Sequence, residues 1–406
     1  RGQPKLEIHA RTPLTPRKDN SMARNFKHLE TKLVHAGEPD PRINRAVSMP
    51  IFQSSTFEYS GESEYYDIKY IRLSNTPNHD VLHEKLATLE NGEAALVTSS
   101  GMAAISTTLL TVVSSGDHLL AQKGLYGGTH DFLTKDFASF GISFDFIEGD
   151  NADSWKEKLR PNTKAIFVEA LTNPLLEVAD LKAVVEFARI NQLVALIDNT
   201  FTSPINFRPL EWGFDLSLHS GTKYLNGHSD IVAGAVIGRA DLIQLIRRRL
   251  GHLGGSLDPH ACFLLHRGLK TLALRVRHQN ESAMKIAQFL ENHSAVAKVN
   301  YPGLPTHLQH QRACELFEGF SGMLSFELKG GLEAAQRFID NATLPIVAPS
   351  LGGVETLITR PATTSHSGLS PDERRQMGIS ESLIRVSVGI EATQELLEDF
   401  DQALKA

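Results

Sequence analysis

From about residue 94 onward the chain alternates short apolar runs with longer stretches of helical period, and no other feature constrains its fold as much. "AALVTS" (94–99) has strand character, and "GMAAISTTLLTVV" (101–113) opens as a helix directly after a serine pair and a glycine. "HLLAQ", "ISFDFI", "KAIFVEA", "LVALID", "DLSLHS" and "IVAGAVIG" follow as strands, separated by helical stretches such as "DLKAVVEFARINQ". This repetition predicts an α/β domain on a largely parallel sheet covered on both faces. Near residue 270 the rhythm changes. Long helical segments, "TLALRVRHQNESAMKIAQFLENHS" and later "PDERRQMGI" and "TQELLEDFDQAL", surround the sparse strands "GMLSFEL" and "SLIRVSVG". The expected organisation is an extended arm over residues 1–80, an α/β domain over 81–270 and a smaller α+β domain over 271–406.

The totals exclude several classes of function. A chain of 406 residues has ample volume for a buried core. Its 41 Lys and Arg against 47 Asp and Glu give a net charge of -6, too small a bias for a nucleic-acid surface. Cys262 and Cys314 are far apart and lack metal-ligand spacing, so neither a disulfide framework nor a zinc site is expected, and a reducing, cytoplasmic setting is. No apolar run approaches the roughly 20 residues that span a bilayer, so no membrane partner is expected. Among the 17 histidines, the pairs His79 and His83, and His307 and His310, have no acidic or cysteine partner at a recurring spacing. They read as packing or surface residues, with no metal. Residues 1–21 are more basic than acidic and fit a linker, a cut transit segment or an expression remnant, with Met22 available as a start.

Within "DLSLHSGTKYLNGHSDIVAG" (215–234) stands Lys223, which follows a strand and has no acidic neighbour. A free lysine, with a pKa of about 10.4, is a poor base or nucleophile unless its surroundings disfavour the charge. Bonding to a carbonyl cofactor is one way to use such a residue. Pyridoxal 5'-phosphate would need phosphate donors, a carboxylate for its ring nitrogen and a face on which to stack. "TSSGMAA" offers Ser100, Gly101 and Met102 at a strand end and helix start, where free N–H groups and the helix dipole favour an anion. Ser220 and Thr222 add hydroxyls. "LVALIDNTFTSP" places Asp198 at the end of a buried strand, where an unpaired carboxylate is costly but one paired with a pyridinium is not. Tyr126 in "LYGGTHDF" can lie against a ring because the two glycines after it allow close approach.

With these residues in place, the sequence resembles the γ-family of fold-type I pyridoxal-phosphate enzymes of cysteine and methionine metabolism. "SSGMAA", "YGGT", "TNPLLEVADL", "IDNTFTSP", "SGTKYLNGHSD", "RGLKTLALR", "SLGGVETLITRPATTSH" and "LIRVSVGIE" occur in the family's order and at similar spacing. The resemblance runs from about residue 34 to the end. It implies an aspartate-aminotransferase-like large domain with Lys223 as the Schiff-base lysine, Asp198 as the pyridinium partner, and Tyr126 as a stacking and proton-moving tyrosine. Ser100, Gly101, Met102, Ser220 and Thr222 would hold the phosphate, and Asn173 would lie near the cofactor and the substrate. Arg385, helped by the Ser350 backbone, would take the substrate carboxylate, a planar anion that fits a guanidinium fork. Tyr70 and Arg72, in "YIRLSNTPN" where relatives continue "GNPT", would reach the phosphate of a neighbouring subunit, implying an active dimer, usually paired into a tetramer.

The resemblance further implies a carbon–sulfur lyase acting on cystathionine, cysteine or both, with Lys223 taking the α proton and Tyr126 protonating the departing sulfur. Gly128 stands where methionine γ-lyases carry a cysteine, which argues against that activity. Glu355 in "SLGGVETL" is similar to the glutamate of cystathionine γ-lyases and γ-synthases. His130 and Asp131 are candidates to line the substrate entrance. The alternative is γ-replacement on an activated homoserine, as in cystathionine γ-synthases and homoserine sulfhydrylases. A non-catalytic module that keeps the fold predicts loss of Lys223 or Asp198, and both are present. An aminotransferase is disfavoured by "SGTKYLNGHSD" with "SLGG" downstream.

Overall fold

The computed structural model describes residues 26–406 except positions 366 and 369; the expected leader over 1–21 and Met22 lie outside the described residues. Seven strands form one sheet: β1 (Ala94–Thr98), β2 (His118–Gln122), β3 (Ser143–Ile147), β4 (Thr163–Glu169), β5 (Val194–Asp198), β6 (Leu216–Ser220) and β7 (Gly234–Gly238). Their order is β1-β7-β6-β5-β4-β2-β3. β7 runs antiparallel to β1 and β6, and the other neighbours are parallel. Six strands therefore point their carboxyl ends to one edge, where Ser99, Glu169, Asp198 and Ser220 emerge. In open α/β sheets this edge is where ligands bind.

Burial on both faces explains why these strands read as continuous apolar runs. Leu96, Leu196, Leu218 and Val236 pack on one side with Ala104, Ile105 and Leu109 of the helix Gly101–Val112. Val97, Ile197, Ala235 and Ile237 pack on the other with Leu82, Leu86 and Leu89 of the helix Pro77–Leu89. The period of two along each strand sorts neighbouring residues onto opposite faces.

A second sheet holds β8 (Val296–Asn300), β9 (Met323–Leu328), β10 (Ile346–Val347), β11 (Leu357–Thr359) and β12 (Leu383–Ser387) in the order β10-β11-β12-β9-β8. Its core joins Phe326, Ile384 and Val386 to Ile286 and Leu290 of the helix Leu272–Glu291, Phe338 of Gly331–Asn341, and Phe400 of Thr393–Lys405. The sparse strands expected here are β9 and β12. The sequence hid β8, with Lys298 at its centre, and β10, two exposed residues long.

The arm is extended between short elements, a helix at Leu29–His35 and 3₁₀ turns at Ile43–Arg45, Tyr65–Asp67 and Ile71–Leu73. Glu38 ties it to the body. Its Oε1 lies 2.9 Å from His266 Nε2 and 2.9 Å from Lys270 Nζ, and its Oε2 accepts from Arg42 Nη1 at 2.9 Å. Burial pushes this carboxyl up, but His266 and Lys270 outweigh it and hold the group well below the usual carboxylate range. The buried Lys85 stands 4.0 Å from the same oxygen and donates to Leu33 O at 2.9 Å. Removing one charge from such a cluster strands the others, so Glu38→Gln is expected to cost about 3 kcal/mol in denaturant unfolding at neutral pH. The pKa is depressed on folding, so this stability is complete above an unfolded pKa of roughly 4.3 and fades as pH falls toward the depressed value. The variant should accordingly lose less stability on acidification than the parent, and an equal loss in both would contradict the assignment.

Candidate active site

Beyond β6 the chain turns tightly: Lys223 N–H donates to Ser220 O at 3.2 Å, Asn226 N–H to Gly221 O at 3.0 Å and Gly227 N–H to Lys223 O at 2.8 Å. Thr222 locks this turn to β7's approach, donating its N–H to Ala233 O at 3.2 Å and accepting Ala233 N–H on Oγ1 at 3.0 Å. Lys223 is thereby aimed inward, and its Nζ donates to Ser350 Oγ at 2.8 Å. Burial, aided by the positive charge of Arg385, brings the amine down to about 8. Near neutrality a useful fraction of Lys223 is then unprotonated, unlike a solvated lysine.

Arg385 comes from β12 and is 5% exposed. Its Nη1 donates to Asn173 Oδ1 at 3.1 Å and its Nη2 to Ser350 O at 3.0 Å, while the buried Nε has no partner among the described residues. Burial lowers this guanidinium to about 10; Tyr126 and Tyr224 act in the opposite sense. Both hydrogen-bond partners are neutral. A buried cation without a counterion is expensive, and a carboxylate ligand would compensate it in a two-point hydrogen bond. Ser350 holds this corner in a left-handed backbone conformation, φ 91°, that non-glycine residues rarely adopt.

At the carboxyl edge of the large sheet stand two acids side by side, Glu169 and Asp198, at paired register on β4 and β5. Asp198 accepts Thr200 N–H at 2.9 Å, and Thr200 Oγ1 accepts Ser220 N–H at 2.8 Å, which links the acid to the start of the Lys223 turn. Burial raises the Asp198 carboxyl; the Thr200 hydrogen bond and the charge of His219 oppose the rise. Burial and the neighbouring Asp198 charge push Glu169 well above the ordinary range, and it accepts Tyr126 N–H at 2.6 Å. Glu169 was missed in the sequence, although an acid closing the apolar run "KAIFVE" is the same signal that marked Asp198.

The end of the site suited to an anion lies where β1 meets its helix. Ser100 caps the helix Gly101–Val112, its Oγ accepting Ala103 N–H at 2.9 Å, which leaves the N–H groups of Gly101 and Met102 without an intrahelical acceptor. Gly101 presses on β6: a Cβ there would lie 2.8 Å from Ser220 Cβ, so glycine alone lets strand end and helix start form one cradle. Tyr126 caps the short helix Gly127–Asp131 and is 44% exposed. A Cβ on Gly128 would lie 2.6 Å from the Tyr126 ring and 3.2 Å from Met102 Sδ, so the ring lies over this glycine beside the helix start.

These parts suit pyridoxal phosphate: a lysine of lowered pKa, a carboxylate at a strand end, unpaired N–H groups at a helix start and an accessible ring. Other expected residues sit elsewhere in the chain. Tyr70 N–H donates to Asn75 Oδ1, while Arg72 bonds Gly251 O at 2.8 Å and Tyr65 Oη at 2.6 Å. Glu355 accepts from Ser229 Oγ at 3.1 Å. None of the three has a hydrogen bond to Lys223, Asp198 or Arg385 among the described residues. His130 stacks on Phe146 at 5.2 Å, and Asp131 pairs with Lys135 at 2.7 Å. His79 and His83 are packing residues. The first is held between Thr76 Oγ1 and Leu257 O, and burial lowers both. No group of acidic, histidine and cysteine side chains suited to a metal occurs among the described residues.

Comparison with known proteins identifies the family. The model of the family described as Cys/Met metabolism PLP-dependent enzyme matches residues 30–405. An L-methionine gamma-lyase of Fusobacterium nucleatum subsp. polymorphum is 39% identical over 388 residues, 93% of this chain and 98% of that protein. The cystathionine beta-lyase MetC of Bacillus subtilis (strain 168) is 40% identical over 385 residues, 95% of this chain and 98% of its own. Among solved structures, a cystathionine gamma-lyase from Lactobacillus plantarum complexed with L-serine superposes with a TM-score of 0.88 at 36% identity, covering 93% of this chain and 99% of that one. The chain belongs to the pyridoxal-phosphate-dependent enzymes of Cys/Met metabolism.

Proposed function

We infer that the protein is a carbon–sulfur lyase that cleaves cystathionine, cysteine or both to a 2-oxo acid, ammonia and a thiol or sulfide. The observation that carries this reading is the pairing of a buried, uncompensated Arg385 with Lys223, both reaching Ser350. Arg385, fixed by Asn173, takes the amino-acid carboxylate and so sets the α carbon beside the lysine. The cofactor, held by Lys223, Asp198, Gly101, Met102, Ser220 and Thr222, supplies an electron sink for the carbanion charge at that carbon. Lys223 Nζ, neutral in part near pH 7, accepts the α proton, and Ser350 Oγ orients it. Where sulfur sits on Cβ the C–S bond then breaks with its electron pair on sulfur, where it sits on Cγ a β proton leaves first, and in either case Tyr126 Oη gives that sulfur a proton. The released unsaturated amine takes up water to a 2-oxo acid and ammonia.

Residues 81–270 form the cofactor-holding unit in this reading, and 271–406 supply Arg385 and Ser350. Tyr70 and Arg72 serve the neighbouring subunit of a dimer: Arg72 meets no carboxylate among the described residues, and Val47 and Tyr59 on the same arm are 83% and 66% exposed. No helix among the described residues is long and apolar enough to cross a membrane. Glu355 belongs to the substrate side, close to the Ser350 loop. Gly128, in place of the cysteine that methionine γ-lyases carry there, supports cystathionine or cysteine over methionine, and it leaves room for the Tyr126 ring, which a Cβ there would meet at 2.6 Å.

Incubation with cystathionine, cysteine, methionine, and O-succinylhomoserine plus a thiol tests the reading. The expected products are 2-oxo acid and thiol or sulfide from the first two; new thioether from the ester, with no 2-oxo acid from cystathionine or cysteine, would identify a replacement enzyme instead. Arg385→Lys is expected to lower kcat/KM about thirtyfold, the loss of roughly 2 kcal/mol of charged hydrogen bonding, mostly through KM. Burial lowers Lys223 on folding, so the cofactor-free chain should take up pyridoxal phosphate at a rate that rises with pH through about 8. A stopped-flow midpoint near 10.4, the value of a solvated lysine, would show that the amine is not tuned.

A further inference from the structure

Beneath the cofactor edge, on the opposite face of the sheet, lies a buried polar group that the reaction does not use. Glu90 follows the helix Pro77–Leu89 and is 0% exposed. Its Oε1 meets His219 Nε2 at 2.5 Å and accepts Asn199 Nδ2 at 3.1 Å, and its Oε2 has no partner among the described residues. A carboxylate buried at the negative end of a helix is doubly unfavourable, so its partners must be what holds it there. Those partners are telling. Asn199 directly follows Asp198 on β5's exit, and His219 directly precedes Ser220 at the end of β6.

We propose that Glu90 is a positioning residue for the cofactor site, tying the exits of β5 and β6 together from below. Strand alternation gives the device its geometry: Asp198 and Ser220 share the upper face with Leu218, whereas His219 shares the lower face with Ile197. Asn199 is fixed from three sides, its Nδ2 also donating to Phe207 O at 2.9 Å and its N–H to Leu218 O at 2.8 Å. The distance between Asp198 and the Lys223 turn is thus set on one face by Thr200 and Ser220, and on the other by Asn199, Glu90 and His219. The histidine also bears on Asp198, opposing the rise that burial imposes on its carboxyl.

The inference rests on Asp198 and Lys223 as cofactor residues, and Lys223→Ala separates the two: loss of the visible absorption band in that variant supports the site, whatever Glu90 does. Glu90→Ala and Asn199→Ala are then compared with the parent holoenzyme, the second variant untying β5 alone. The readouts are the pyridoxal-phosphate dissociation constant of the folded protein, by quenching of tryptophan fluorescence, the position of the visible band, and kcat and KM. Each alanine variant should weaken cofactor binding about tenfold, since a buried donor or acceptor loses its partner. kcat should fall by a similar factor with KM little changed, because Arg385 is untouched. Glu90→Gln keeps hydrogen-bonding atoms in place and should restore most of the affinity. Cofactor affinity and kcat equal to the parent's in the alanine variants, with only the melting temperature lowered, would overturn the proposal.

Discussion

The seating of two cations side by side, without a carboxylate between them, is the constraint on which the rest of this site depends. Lys223 and Arg385 both bond Ser350, one at its hydroxyl and one at its carbonyl, and burial lowers both. Left alone, such an arrangement is unfavourable. It becomes useful when one cation can lose its proton and the other is met by an anion. Arg385 is the better choice for the permanent charge, because its planar fork fits a carboxylate, and lysine is the better choice for the variable one.

Each sheet supplies part of that arrangement, and the register of the second sheet locks them together. Arg385 on β12 pairs with Ser325 on β9, and Ser325 Oγ donates to Pro174 O at 2.8 Å, one residue beyond Asn173. Arg385 and its acceptor Asn173 are therefore positioned by the same pair of strands. A slip of one residue between β9 and β12 would turn Arg385 to the other face and into the apolar layer that holds Ile384 and Val386.

Much of this was legible in the sequence because the decisive residues close apolar runs or sit in glycine-rich turns. Asp198 follows "LVALI", Gly101 follows "TSS", and Lys223 follows a strand and a glycine; each pattern has a physical reason that survives without context. Family resemblance supplied what local pattern could not, namely that Arg385, over 160 residues beyond Lys223, faces it. Other features were hidden for physical reasons. β8 and β10 lack the apolar alternation of a half-buried strand, being exposed or centred on lysine. Glu90 and His219 are joined only through the packing of the helix Pro77–Leu89 beneath β6, which no short window contains.

Tyr126 shows how a small residue can set chemistry at a distance. Its backbone N–H is fixed by Glu169, so the ring can swing only about its own side-chain bonds. Gly128 leaves the space into which the ring settles, next to Met102 at the start of the helix Gly101–Val112. From there the phenol bears on Arg385, opposing the fall that burial imposes on the guanidinium. An acid in that place can serve a leaving group on the side chain of a bound amino acid, while Lys223 serves the α carbon. In the proposed reaction two groups on separate elements would divide the proton transfers, and what positions Tyr126 for its share is a buried acid on β4 and a missing Cβ two residues past the tyrosine.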